Sequence, residues 1–107
     1  MGSPKMRKYT FTAQIWKYTG ENAWYFVTLP EDIAEEIKAL TALHLLARRG
    51  FASLRVVVTI GTSTWDTSIF PDKKTASFLL PIKKSVRTAN KLSDASIVAI
   101  ELVVIDI

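Results

Sequence analysis

The pattern that most constrains this chain is a period of two, in runs too short for anything but β-strands. From Tyr9 to Trp16, the residues Tyr9, Phe11, Ala13 and Ile15 fall on one side, and Thr10, Thr12, Gln14 and Trp16 on the other. Residues two apart share a face in an extended strand, and aromatic and β-branched side chains suit that geometry. Leu54 to Ile60 repeats the pattern with Leu54, Val56, Val58 and Ile60 together, and Thr64 to Phe70 answers it with Trp65, Thr67 and Ile69. Trp24 to Leu29, Thr75 to Leu80 and Ile97 to Ile107 complete six predicted strands. The last is apolar on both faces for much of its length, which predicts a central position.

Turn signals separate these runs: Thr19 to Asn22, Gly61-Thr62-Ser63, Pro71 to Lys74, and Leu92 to Ser96. Two segments break the period. Pro30 ends the second strand and suits the first turn of a helix, where its missing N–H is not needed. Glu31 and Asp32 then put negative charge at the positive end of the helix dipole. Ile33, Ile37, Leu40 and His44 recur at helical spacing, which predicts a helix from about Glu31 to about Leu43, closed by Arg48-Arg49-Gly50. Pro81 introduces a second, short helix with Ile82, Val86 and Ala89 inward. The order is β-β-α-β-β-β-α-β. The expected fold is mainly β, a small closed or split β-barrel of about six strands with two short helices. Residues 1–8 read as a flexible N-terminal tail and residues 9–107 as one barrel domain. The 107-residue length suits one domain.

Composition narrows the chemistry. With no cysteine and one histidine, disulfides, thiol catalysis and Cys-ligated metals are excluded, and sites needing two or three imidazoles are too. His44 sits on the inward stripe of the first helix or just past its end, where a satisfied, part-buried imidazole is expected. Asp66 and Asp72 flank one strand, and no spacing marks them as an acid–base pair. The expectation is no metal and no cofactor. No apolar run reaches the ~18 residues of a membrane helix, and no apolar stretch follows the basic start as a signal peptide requires. Cytoplasmic location, without membrane contact, is the corresponding expectation.

Net charge is +4, unevenly distributed. From Lys73 to Lys91 there are six basic residues and no acid, whereas Glu31 to Lys38 holds four acids and one lysine. The candidate anion or nucleic-acid residues are Arg48, Arg49, Lys73, Lys74, Lys83, Lys84 and Arg87. Spacing of three and four places Lys83, Lys84 and Arg87 on one side, near a helix start whose free N–H groups attract anions.

The chain also echoes itself. Tyr25 to Leu29-Pro30 and Ser77 to Leu80-Pro81 are both strands that end in Leu-Pro and turn into a helix, 51 residues apart. A pseudo-twofold barrel of two such units follows. The second unit, from Leu80-Pro81 through Val86-Arg87 to Val104, resembles loosely the swapped-hairpin antitoxin and transition-state-regulator group. That resemblance implies nucleic acid as a partner and dimeric barrels. A closer resemblance runs over nearly the whole chain. Phe11-Thr12-Ala13, Gly20 to Val27, Leu29-Pro30, Arg49-Gly50-Phe51, Leu54 to Gly61, Trp65, Thr67-Ser68, Phe70-Pro71, Leu80 to Lys84 and Val86-Arg87 resemble the DUF1905 family of bacterial proteins, a domain of unknown function. The resemblance implies a small, mainly β barrel and no established activity. Thr62 and Ala95 stand where that pattern often has glycine.

The candidate ligand-contacting residues are Trp16, Trp24, Tyr25, Trp65 and Arg55. Trp24, Tyr25 and Phe26 are consecutive, so a strand sends them to opposite faces and at least one reaches solvent or a groove. The expected function is a non-enzymatic binding module with an unidentified ligand. The alternative is nucleic-acid binding through the basic 73–91 segment, an enzyme ranks third, and a homodimer is the expected assembly if the chain self-associates.

Overall fold

Six strands form, and they close on one another. The computed structural model describes residues 7–20, 24–42 and 53–105. In chain order these are β1 (Arg7–Lys17), β2 (Tyr25–Thr28), α1 (Glu31–Ala42), β3 (Leu54–Ile60), β4 (Ser63–Asp72), β5 (Ser77–Pro81), α2 (Lys84–Ala89) and β6 (Ile97–Val104). They make a closed barrel in the order β1-β2-β5-β4-β3-β6, and every strand pair is antiparallel. The element order is the expected one.

Closure gives every strand an inside and an outside, and the period-two pattern sorts side chains between them. Ile15, Val27, Val56, Val58, Leu80 and Leu102 are fully buried. α1 adds Ala34 and Ile37 to the same core and α2 adds Val86. Strand direction places the helices over opposite ends of the barrel. At α1's end, Leu29 N–H donates to Phe78 O (3.0 Å) and Ser77 Oγ to Leu29 O (2.8 Å). Lys38 Nζ donates to Ala76 O there as well. At α2's end, Ile82 N–H donates to Tyr25 O (2.9 Å), and Asn90 joins the helix to the β3–β4 turn by accepting from Thr62 N–H (3.2 Å) and donating to Ser63 Oγ (3.0 Å).

The internal echo has a structural counterpart. The two Leu-Pro strands, β2 and β5, pair with each other, with Val27 opposite Leu80 and Thr28 opposite Leu79. Exchanging β1 with β4, β2 with β5 and β3 with β6 leaves the ring order intact. The barrel is thus two β-β-α-β units related by a topological twofold.

Several boundaries differ from expectation. Arg7 and Lys8, assigned to the tail, belong to β1, where they face Val104 and Val103. Pro71 and Asp72, expected in a turn, extend β4 opposite Phe78 and Ser77. Beyond Ile69 β4 has only β5 as a ladder partner among the described residues, and proline is accommodated on a one-sided stretch. Asp72 then starts the turn with its side chain, accepting from Thr75 N–H (3.2 Å) and Thr75 Oγ1 (2.7 Å). Ala89 is exposed at the end of α2, while Ile82 and Val86 are buried. β6 is not covered on both faces: Val98, Ile100, Leu102 and Val104 are buried, but Ile97 is 73% exposed. His44, Arg48 and Arg49 lie outside the described residues.

The two turn departures resolve differently. In the two-residue loop joining β3 and β4, the first position needs positive φ, and Gly61 supplies it (φ +56) with Thr62 second. Ala95, by contrast, adopts φ +75 itself. The neighbours hold it there: Ala95 N–H donates to Ile15 O and Ile15 N–H to Ser96 O, both at 2.8 Å. A side chain in that region costs about 1–2 kcal/mol. Ala95→Gly is therefore expected to raise unfolding stability by about 0.5–1 kcal/mol, read as a higher urea midpoint at unchanged m-value.

Candidate binding face

The outer surface of the barrel has two unlike walls. Across β1, β6, β3 and β4 the outward positions are mixed: Val57 lies beside Val103, and Ala99 and Ile97 are exposed, among polar side chains. The polar ones include Thr10, Thr12, Thr59 and Glu101, with ion pairs Lys8–Glu101 and Arg55–Asp66 at 3.7 Å each. Thr59 and Thr64 share a hydroxyl hydrogen bond of 3.0 Å. An open depression of about 460 Å³ on this wall touches Thr10, Thr12, Thr59, Ala99 and Glu101.

Across β1, β2, β5 and β4 the outward positions are largely apolar. The register sets Trp16 beside Phe26 and Phe26 beside Pro81; two residues along, Thr28 lies beside Leu79 and Leu79 beside Phe70. Phe70 is 44% exposed. Solvent-facing strand positions are ordinarily polar, so this wall departs from what folding requires.

Trp24 stands at its corner, 50% exposed. It shares a face with Phe26, and their rings are nearly parallel, 9° apart with centroids at 6.2 Å. Phe26 leans on Trp16 at 5.2 Å and 36°. Trp16 is fixed in turn, because its Nε1–H donates to Thr28 Oγ1 at 2.9 Å. Tyr18, also 50% exposed, joins Trp24 through a backbone bond, Tyr18 N–H to Trp24 O at 2.8 Å. A Cβ on Gly20 would come within 2.1 Å of the Tyr18 ring, so only glycine permits that ring position.

Tyr25 takes the other side of β2 and packs on the core. Its ring carries two cations: the Arg87 guanidinium at 3.8 Å and Lys17 Nζ at 6.0 Å from the centroid. Arg87 is held by its Nε–H, which donates to Ile82 O at 3.2 Å. Exposed Lys83 and Lys84 follow directly on Pro81 and Ile82, at the same end of the barrel. Lys17, Lys83, Lys84 and Arg87 form no ion pair among the described residues. Asp94 is close to Lys17, but its carboxylate accepts the backbone N–H (3.2 Å).

The other candidates are elsewhere. Trp65 is on the inward side of β4 and packs on the core. Arg55 points outward from β3, on the opposite wall, paired with Asp66. Lys73 and Lys74 are in the β4–β5 turn, separated from Lys83 and Lys84 by the length of β5, roughly 15 Å. The contiguous basic tract is thus divided between the two ends. α2 spans six residues, Lys84–Ala89, with Lys83 at its N-cap and no side-chain cap hydrogen bond. Asp66 and Asp72 are engaged with Arg55 and Thr75. Among the described residues no group of three or more His, Asp or Glu side chains is placed to hold a metal, and no helix is long and apolar enough to cross a membrane. Phe70, Leu79 and Pro81 escaped sequence reasoning. Trp24 and Phe26 share parity and were visible as a pair; the rest needed the inter-strand register.

Fold and surface together define a small antiparallel β-barrel with helix-covered ends and one apolar outer wall. The chain belongs to the family described as Domain of unknown function (DUF1905), whose model matches residues 11–102. Comparison with curated proteins finds no match.

The geometry separates structural from exposed tryptophan. Trp16→Ala removes a packed ring and strands the Thr28 hydroxyl, so a loss of about 2–4 kcal/mol is expected. Trp24→Ala should cost under about 1 kcal/mol, since half the ring is already in water. Urea unfolding of both variants checks the difference.

Proposed function

We propose that the chain is a non-enzymatic binding module whose ligand lies on the outer wall formed by β1, β2, β5 and β4. One observation carries this reading: Trp24 is half exposed yet held rigid by a parallel Phe26, itself backed by Trp16. Folding does not need an aromatic there. A pre-ordered aromatic surface loses little conformational entropy on binding, which favours a ligand with a flat or apolar face. The neighbouring apolar positions Pro81, Leu79 and Phe70 extend the contact across four strands. Contiguous apolar patches of this kind mark interaction surfaces.

The test is a titration of intrinsic tryptophan emission with three probe classes: mixed-sequence oligonucleotides, neutral oligosaccharides and proline-rich peptides. One class is expected to shift the emission, and Trp24→Ala should weaken that binding about tenfold or more, as loss of a stacking contact does. The reading fails if none of the three classes binds, or if binding is the same in Trp24→Ala. Sedimentation of the unliganded protein identifies self-association through the same wall, which Phe70→Ser would then abolish; that outcome would replace the ligand with a second copy and overturn the reading as stated.

A further inference from the structure

Resting on that binding face, we propose that its ligand is a single-stranded nucleic acid, with bases stacked on Trp24 and its neighbours and phosphates against Lys17, Arg87, Lys83 and Lys84. Sequence-tolerant single-strand sites combine two elements, aromatic rings for the bases and a positive groove for the backbone. Both are present at one end of this barrel. Trp24 and Tyr18 supply half-exposed rings, and the row Trp16, Phe26, Pro81 continues from them across three strands. Three strands span roughly 10 Å at ~4.8 Å spacing, enough for two or three bases.

The cations are arranged as a counterpart. The Arg87 guanidinium lies 3.8 Å from the Tyr25 centroid, with Nε–H donating to Ile82 O and no carboxylate partner among the described residues, and its remaining N–H groups are the donors assigned to the phosphate. Lys17 approaches the same ring. Two cations thus stand at the Trp24 end of the barrel, where opposite charge attracts a phosphate. Charge complementarity is what selects nucleic acid over a neutral sugar or an apolar peptide.

The same features disfavour a duplex. Paired bases hide their faces from an aromatic platform. Reading a major groove takes a protruding helix or two-stranded ribbon. Here α1 exposes Glu31, Asp32, Glu35 and Glu36, which repel phosphate, and α2 buries Val86 against the core. Those acids also limit the strand to the Trp24 end of the wall.

The experiment uses fluorescence anisotropy with end-labelled octathymidylate, its abasic equivalent, and an eight-base-pair duplex, at salt from about 50 to about 200 mM. The octathymidylate is expected to bind at least tenfold more tightly than either the abasic strand or the duplex. Trp24→Ala should remove most of that preference and leave the salt slope unchanged. Lys83→Gln with Lys84→Gln should keep the preference but lower the slope of log K against log salt by about 1.4, the value for two lost single-strand phosphate contacts. Equal binding of octathymidylate and the abasic strand would mean charge attraction alone and would overturn the proposal. So would failure of octathymidylate to bind at the lowest salt. If octathymidylate fails while an oligosaccharide or peptide gives a Trp24-dependent emission shift, the nucleic-acid assignment falls and the binding face stands.

Discussion

Everything in this structure depends on β1 being hydrogen-bonded to β6. Eight residues of β1, from Arg7 to Gln14, run antiparallel to Val104 through Ile97. Without that ladder the sheet would have two open edges, each a template for other strands. With it, the barrel has one interior, and the alternation in each strand acquires a single meaning. Ile15 and Val27, opposite each other, are both fully buried, while Trp16 and Phe26, also opposite, both face out. The aromatic outer wall is therefore a by-product of the same closure that makes the core.

The topological twofold sharpens the contrast between the ends. Each end has a hairpin, a Leu-Pro step and a helix. At one end the helix is twelve residues long and begins with Glu31 and Asp32; at the other it is six residues long and contributes Arg87 to the Tyr25 ring. The fold repeats, and its surface chemistry does not. Divergence of charge on a shared scaffold is how function is placed on a fold without altering it.

The sequence revealed the barrel well because its signal is local. Leu54, Val56, Val58 and Ile60 alternate whether or not their neighbours are known, and β3 has the bounds that alternation predicts. Turn chemistry was less legible, since it depends on side chains bonding back to the chain: Pro71 and Asp72 extend a strand because Asp72 can close the turn onto Thr75. The proposed binding face was half legible. Trp16 and Trp24 were among the candidate contacts, with at least one of Trp24, Tyr25 and Phe26 expected outward, but Leu79 and Phe70 join them only through the β2–β5 and β4–β5 registers, which no spacing within a strand encodes. The basic 73–91 segment shows the opposite limit, since contiguity along the chain is not contiguity in space. Its charges are neighbours along the chain, and β5 carries them to opposite ends.

Pairing β1 with the last strand of the barrel also governs how the protein is made. The partner of Arg7 is Val104, so a ribosome must deliver nearly all of the described chain before the ring can shut. Until then β1 presents unpaired backbone beside Trp16, and loop closure over such a span is slow. During that interval the nascent protein offers other chains both an open strand edge and an aromatic surface, the combination most prone to association. Barrel closure removes only the first of these, and it leaves Trp24 and Phe70 part exposed on the finished surface.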